Sequence, residues 1–154
     1  MKTKIYYVMD PMCGWYYGFG EVIEKIHDKY KEKYDFTILP GSKAILAVQT
    51  LNKNKNFEFL KRLQQAMYIE GKEITNLEVL ADIVESIGIS KEKFIAQFKS
   101  KDNDEITSDA FKFINEAAIG SFPSLIAYKA DEYLLLSQGY TDFNKIDDII
   151  ANNL

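Results

Sequence analysis

Apolar residues along this chain change their spacing twice. At the start, Ile5-Tyr6-Tyr7-Val8-Met9 is a short β-branched and aromatic run that stops at Asp10-Pro11, so a strand is predicted over Lys4–Met9. From Gly14 to about Lys33 the period lengthens, with Val22, Ile23, Ile26 and Tyr30 at helical intervals and charges between them. Phe36–Leu39 is a second short apolar run, closed by Pro40-Gly41. The order so far is β–α–β, for which two parallel strands joined through a helix are the expected geometry.

The middle of the chain keeps the helical period. Phe57, Leu60, Leu63 and Met67 form one stripe, ended by Gly71. Thr75 with Glu78 reads as a capping box for a helix through Leu80, Ile83, Val84 and Ile87, which stops at Gly88. Ser90 caps a short helix carrying Phe94, Ile95 and Phe98. Asp104 or a neighbour opens another through Ile106, Phe111, Ile114 and Ala118, ending at Gly120. The short period then returns: Ser124–Tyr128 and Tyr133–Ser137 read as a hairpin across the polar turn Lys129–Glu132, with Gly139 at a bulge or strand end. Phe143, Ile146, Ile149 and Ile150 mark a last amphipathic helix. Strands flanking a run of helices predict one α/β domain over residues 1–154, with a helical insertion at approximately 44–119.

Composition narrows the class. The 154 residues suit one domain, and 47% hydrophobic with 14% aromatic content supplies a core and argues against disorder. The net charge of -4, from 19 basic and 23 acidic residues, comes without a basic block, so nucleic acid is not expected as a partner. Lys53 and Lys55, separated by asparagine, read as a polar turn. The apolar run after Met1-Lys2-Thr3-Lys4 is too short for a signal peptide, and no segment approaches the roughly 18 apolar residues of a membrane span. A cytoplasmic protein without membrane association is the expectation.

The single cysteine, Cys13, excludes an intrachain disulfide and a cysteine-based metal cluster within one chain; no metal is expected. His27 reads as a surface or half-buried helix residue, and lies roughly 20 Å along the helix from Cys13, too far for a nucleophile–base pair. There is no G-x-x-x-x-G-K-[ST] phosphate loop and no H-E-x-x-H. Asp147-Asp148 reads as part of a solvated helix face.

Cys13 itself sits between the first strand and the first helix, in Asp10-Pro11-Met12-Cys13-Gly14-Trp15-Tyr16-Tyr17-Gly18-Phe19. A thiol there is surrounded by N–H groups without intrahelical partners, at the positive end of the helix dipole. Such surroundings bring a cysteine pKa from about 8.5 down to roughly 3.5–7.5, and the thiolate is the nucleophile. The bland alternative is a small residue left at a helix start. Trp15 and Phe19 either shape a substrate groove or pack. Tyr16 either fills space or offers its hydroxyl to a bound sulfur. Pro11 fixes the approach to the helix, and Gly14 and Gly18 relieve crowding there.

Two segments carry a family resemblance. The Cys13 segment is similar to the D-P-M-C-x-W-C-W-G-F signature of a bacterial thiol–disulfide isomerase subgroup, and Gly120-Ser121-Phe122-Pro123-Ser124-Leu125 looks like its cis-proline loop. With the matching element order, the whole chain resembles the DsbA-like group of the thioredoxin fold, in which a helical subdomain is inserted. The resemblance implies that Cys13 is the attacking cysteine and that Pro123 faces it. It implies that Phe122 offers main-chain hydrogen bonds to an extended peptide or a glutathione-like thiol. Phe122 and Pro123, together with Trp15 and Tyr16 from the residue reading above, make up the candidate substrate-binding set. Tyr16 holds the place of the resolving cysteine, so Cys13 stores no intramolecular disulfide.

Three readings follow. The first is a thiol–disulfide oxidoreductase or isomerase acting through Cys13 alone. It has no bound cofactor, and glutathione or another small thiol is its co-substrate. Its partners are disulfide-containing or thiol peptides and proteins, and the chain is a monomer or a homodimer. The second is a redox-inactive peptide- or protein-binding module. The third is a glutathione-dependent transferase or isomerase, since kappa-class glutathione transferases resemble the same architecture.

Overall fold

The strand predicted at the N-terminus is β1, Lys4–Met9, and after it α1 runs over Gly14–Tyr30 and β2 over Asp35–Pro40. In this computed structural model residues 2–12, 14–40, 42–117 and 119–154 are described, Trp15 and Tyr16 by their main chain only. Five helices follow: α2 (Lys43–Leu51), α3 (Asn56–Tyr68), α4 (Leu77–Ser86), α5 (Lys91–Phe98) and α6 (Lys101–Glu116). Lys53 and Lys55 lie in a single 3-10 turn, as the polar spacing suggested. The chain closes with β3 (Ser124–Lys129), β4 (Glu132–Gln138) and α7 (Phe143–Asn153). The fold is the expected α/β mixture. It divides into two compact units, Met1–Leu39 with Ile114–Leu154, and Pro40–Phe113, where the sequence pattern drew an insertion over approximately 44–119.

The first unit is built on a sheet of order β2-β1-β3-β4. β1 and β3 are antiparallel, with Val8 opposite Ser124 and Lys4 opposite Tyr128. Alternation along β1 divides its side chains between two faces. Tyr7 packs toward α1, its ring 5.9 Å from that of Phe19, and Ile5, Tyr7 and Met9 are all fully buried. Val8 faces the other way, where Val8, Ile126 and Ile114 form a cluster that Tyr6, Leu39, Ile119 and Phe122 extend. β3 and β4 form the predicted hairpin, and its tip residues Ala130 and Asp131 adopt φ of 52° and 63°, the left-handed values a two-residue turn requires. Gly139, at φ 71°, follows the end of β4 at Gln138, the strand end of the two alternatives, and a bulge lies earlier. Leu125 faces Ser137 and Ile126 faces Leu135, so Leu136 is the extra residue of a bulge.

α7 returns over α1. Ile146 and Ile150 are fully buried. The reading of Asp147-Asp148 as a solvated face is corrected for Asp147, which takes hydrogen bonds from Lys29 Nζ at 2.6 Å and Tyr30 Oη at 2.7 Å. A charge pattern on one helix does not reveal a cation on another.

The second unit is all helical. Its core contains Ile45, Val48, Leu60, Leu63, Val84 and the ring pairs Phe59–Phe94 (6.4 Å) and Phe94–Phe98 (5.8 Å). The buried face of α3 is Asn56, Phe59, Leu60, Leu63, Gln64 and Ala66, turned slightly from the predicted stripe of Phe57, Leu60, Leu63 and Met67. The cap of α4 also differs: Asn76, not Thr75, accepts from the N–H groups of Glu78 (2.9 Å) and Val79 (3.4 Å). Asparagine is at least as good a cap as threonine, and the helix starts one residue later. Gly88, at φ +86°, ends that helix as predicted, in the conformation that favours glycine. Ser90 caps α5 through Lys93 N at 3.3 Å. α6 begins at Lys101, ahead of Asp104, because Ser100 Oγ accepts from Asn103 N at 3.1 Å.

Candidate functional site

Antiparallel pairing of β1 with β3 decides what meets at the end of the sheet. Val8 is opposite Ser124, so the segment leaving β1 and the segment entering β3 emerge at the same end. The first is Asp10-Pro11-Met12, the second Ser121-Phe122-Pro123. Cys13, the candidate nucleophile, lies outside the described residues, as do the side chains of Trp15 and Tyr16. What is described is the frame around them.

On the β1 side the Asp10 carboxylate accepts from Met12 N at 2.9 Å, a local turn that carries the chain toward α1. Pro11 is buried and Met12 is 58% exposed. The first turn of α1 holds no acidic side chain, so nothing there offsets the positive end of the helix dipole. Among the described residues neither glycine is crowded. A Cβ at Gly14 would meet nothing within 4 Å among the described residues, and one at Gly18 only the Tyr140 ring at 4.0 Å. Phe19 is fully buried between Tyr7 and Tyr140, the latter edge-on at 6.2 Å, so it packs and does not line a groove.

On the β3 side the Phe122–Pro123 peptide bond is cis. The Phe122 ring packs against the Val8–Ile114–Ile126 cluster, so its side chain serves the core. Its main-chain N–H and C=O take no hydrogen-bond partner among the described residues. Pro123 is buried, and its carbonyl accepts from Gly139 N at 2.7 Å. Ser124 Oγ donates to Ser121 O at 2.7 Å, which fixes the loop on its other side.

Nothing local in the sequence marks Tyr140 and Gly139 as parts of this region. The only available signal was a glycine and an exposed aromatic just past a strand end. Tyr140 is 55% exposed and stands against Gly18 and Phe19, and Tyr17, 48% exposed, precedes these two on α1. A hollow of about 260 Å³ lies on the sheet face away from α1, lined by Ile119, Gly120, Ser124, Ile126, Leu135 and Gln138 among others.

His27 lies in the last turn of α1, at the end away from Cys13. It is half-buried, as expected, edge-on to Phe36 at 5.2 Å. Burial lowers its pKa from the ordinary value, against a smaller opposing pull from Asp28. Among the described residues no cluster of three or more His, Cys, Asp or Glu side chains could hold a metal ion, and no helix is long and apolar enough to cross a membrane.

A family profile described as Thioredoxin matches residues 42–147. No curated protein matches the sequence. Among solved structures, the chain is similar to a proposed protein disulfide isomerase from Nitrosomonas europaea, with 20% identity, 99% of this chain and 97% of that chain covered, and a TM-score of 0.95. It is similar to the cytosolic disulfide reductase DsbM from Pseudomonas aeruginosa at 18% identity over 97% and 96% of the two chains, with a TM-score of 0.77; that protein is also solved with GSH. The oxidoreductase DsbA from Xylella fastidiosa matches at 15% identity over 98% and 85%, with a TM-score of 0.78.

Proposed function

The chain belongs to the thioredoxin family and has the DsbA-like form of its fold, and from that premise we propose that it is a thiol–disulfide oxidoreductase or isomerase working through Cys13 alone. The observation that carries the reading is the convergence, at one end of the sheet, of the 10–12 segment that leads to Cys13 and the Phe122–Pro123 loop. In the proposed reaction the Cys13 thiolate attacks one sulfur of a substrate disulfide. The S–S bond breaks, the other sulfur leaves as a thiolate, and a mixed disulfide remains on Cys13. An external thiolate then attacks that mixed disulfide, restores Cys13 and carries the substrate sulfur away. Electrons balance because the external thiol, not Cys13, is oxidised overall.

Glutathione is the proposed external thiol, supported by the GSH-bound DsbM relative. Phe122 is the proposed docking edge, supported by a main-chain N–H and C=O that take no partner among the described residues. Trp15 and Tyr16 remain proposed substrate contacts, and the cytoplasm the proposed location, as for DsbM. The second reading, a redox-inactive binding module, is favoured by one observation: Tyr16 stands where a resolving cysteine would be.

The deciding experiment pairs iodoacetamide alkylation of the folded protein across pH with glutathione-dependent exchange in wild type and Cys13→Ser. An alkylation pKa well below about 7, with exchange abolished in Cys13→Ser, is expected. A pKa near about 8.5, or full exchange without Cys13, would leave the binding module as the function.

A further inference from the structure

The two edges of the sheet are defended differently. β2, at one edge, begins with Asp35 and ends with Pro40, and its side chains alternate between half-buried and buried. A charge and a proline are common devices against edge-to-edge pairing. β4, at the other edge, has neither lysine nor proline; Glu132 is its single charged residue, followed by Tyr133, Leu134, Leu135, Leu136, Ser137 and Gln138. Three consecutive apolar side chains on it are exposed, Tyr133 by 55%, Leu134 by 38% and Leu135 by 53%.

The hairpin decides which main-chain groups look outward. A two-residue turn is closed by a pair that exchanges hydrogen bonds, here Lys129 and Glu132, and the pattern then alternates along the strand. Leu134 therefore turns its N–H and C=O toward Ala127 of β3, and Leu135 turns its own to the outer side. The bulge at Leu136 ends the regular stretch. What β4 offers is a short edge centred on Leu134, with Glu132 as its one charge and the bulge as its limit.

We propose that this edge is an interface between two copies of the chain, paired antiparallel about Leu134. In that arrangement Leu134 lies opposite its own copy on one face, and Leu135 lies against the partner's Tyr133 on the other. An aliphatic residue beside an aromatic one is a favourable cross-strand pair. The charges fit the same register. Glu132 falls opposite the partner's Leu136, which holds the two carboxylates four residue steps apart, about 14 Å at strand spacing. That exceeds the screening length of about 8 Å at physiological salt. Parallel pairing in register would instead set the two Glu132 side chains next to each other. A second copy is also the occupant that removes both sets of exposed Tyr133, Leu134 and Leu135 from water at once. The edge lies away from the Cys13 segment, so the inference is independent of the thiol chemistry.

Sedimentation of the full chain over a wide concentration range tests it. Wild type passes from monomer to dimer with rising concentration. Leu134→Lys sets two ammonium groups against each other and Leu134→Glu two carboxylates; each raises the dissociation constant at least tenfold while circular dichroism matches wild type. An equimolar mixture of the two recovers a dimer, because opposite charges now meet on the two-fold axis. Leu135→Arg, at a more exposed position, gives a second disruption that does not depend on Leu134 variants folding. Wild type that stays monomeric throughout, or a Leu134→Lys protein that dimerises like wild type, overturns the interface. Failure of the mixture to recover a dimer overturns the pairing about Leu134.

Discussion

The hydroxyl of Tyr30 donates to Asp147 Oδ1 at 2.7 Å, on the carboxylate that Lys29 Nζ also reaches at 2.6 Å and 2.7 Å. The pair clasps α7 to α1. Burial first, and the Asp147 hydrogen bond second, push the Tyr30 pKa up to about 12, while Lys29 and then Tyr30 hold Asp147 below the usual carboxylate value. A raised Tyr30 contributes its full share below the unfolded value of about 10, and loses it as pH climbs through the folded one. Tyr30→Phe is expected to cost about 1 kcal/mol in urea unfolding at neutral pH. It is also expected to flatten the decline of stability above pH 10. A Tyr30→Phe protein with the wild-type alkaline profile would show that the clasp is not what titrates.

Acid acts through His27. Its folded pKa is lowered by burial, so the unfolded chain binds the proton more readily and stability falls as pH drops below about 6.5. The decline ends once pH is below the folded value. His27→Gln should remove this step from melting temperatures measured between pH 7.5 and 5, leaving the decline due to carboxylates such as Asp147 at lower pH. Persistence of the step in His27→Gln would assign it elsewhere.

The cap of α4 separates two neighbouring residues. Asn76→Ala removes the acceptor for Glu78 N and Val79 N and should cost about 1 kcal/mol. Thr75, whose hydroxyl donates to the Glu73 carboxylate at 3.2 Å, should change stability by no more than about 0.5 kcal/mol on conversion to alanine. Chemical denaturation of the two variants side by side reads the difference, and equal losses would return the cap to Thr75.

At the hairpin tip, Ala130 holds φ at 52° without a side chain suited to it. Ala130→Asn should raise stability by about 0.5–1 kcal/mol, since asparagine tolerates the left-handed region. Asp131 is left alone because its carboxylate accepts from the Tyr128 hydroxyl at 2.8 Å. No gain in denaturation midpoint would mean that Ala130 is not strained in solution.

Much of this architecture is legible along the chain because punctuation and period agree. Asp10-Pro11 stops β1 where its pattern ends, the polar turn between two apolar runs marks the hairpin, and α7 carries a clean amphipathic stripe. α2 is legible only as part of a helical block, since Ala44 to Val48 are all buried and a helix apolar on every side has no face to betray it. The buried Asn56 and Gln64 hide the true face of α3 for the opposite reason, polar residues inside. At the candidate site, Pro123 is marked by its resemblance and its position before a strand. The bond from Gly139 to Pro123 and the contact of Tyr140 with Phe19 depend on segments brought together only by folding, and no local pattern announces them.

That bond between Gly139 and Pro123 gives the hairpin a second closure. β3 and β4 are joined covalently at Ala130-Asp131, and at the opposite end by the Gly139 amide, so the pair behaves as a braced frame rather than two free arms. Pro123 is mounted on that frame. A chain pressing on Pro123 meets the combined stiffness of both strands, and the load is delivered along β4 to the outer margin of the sheet.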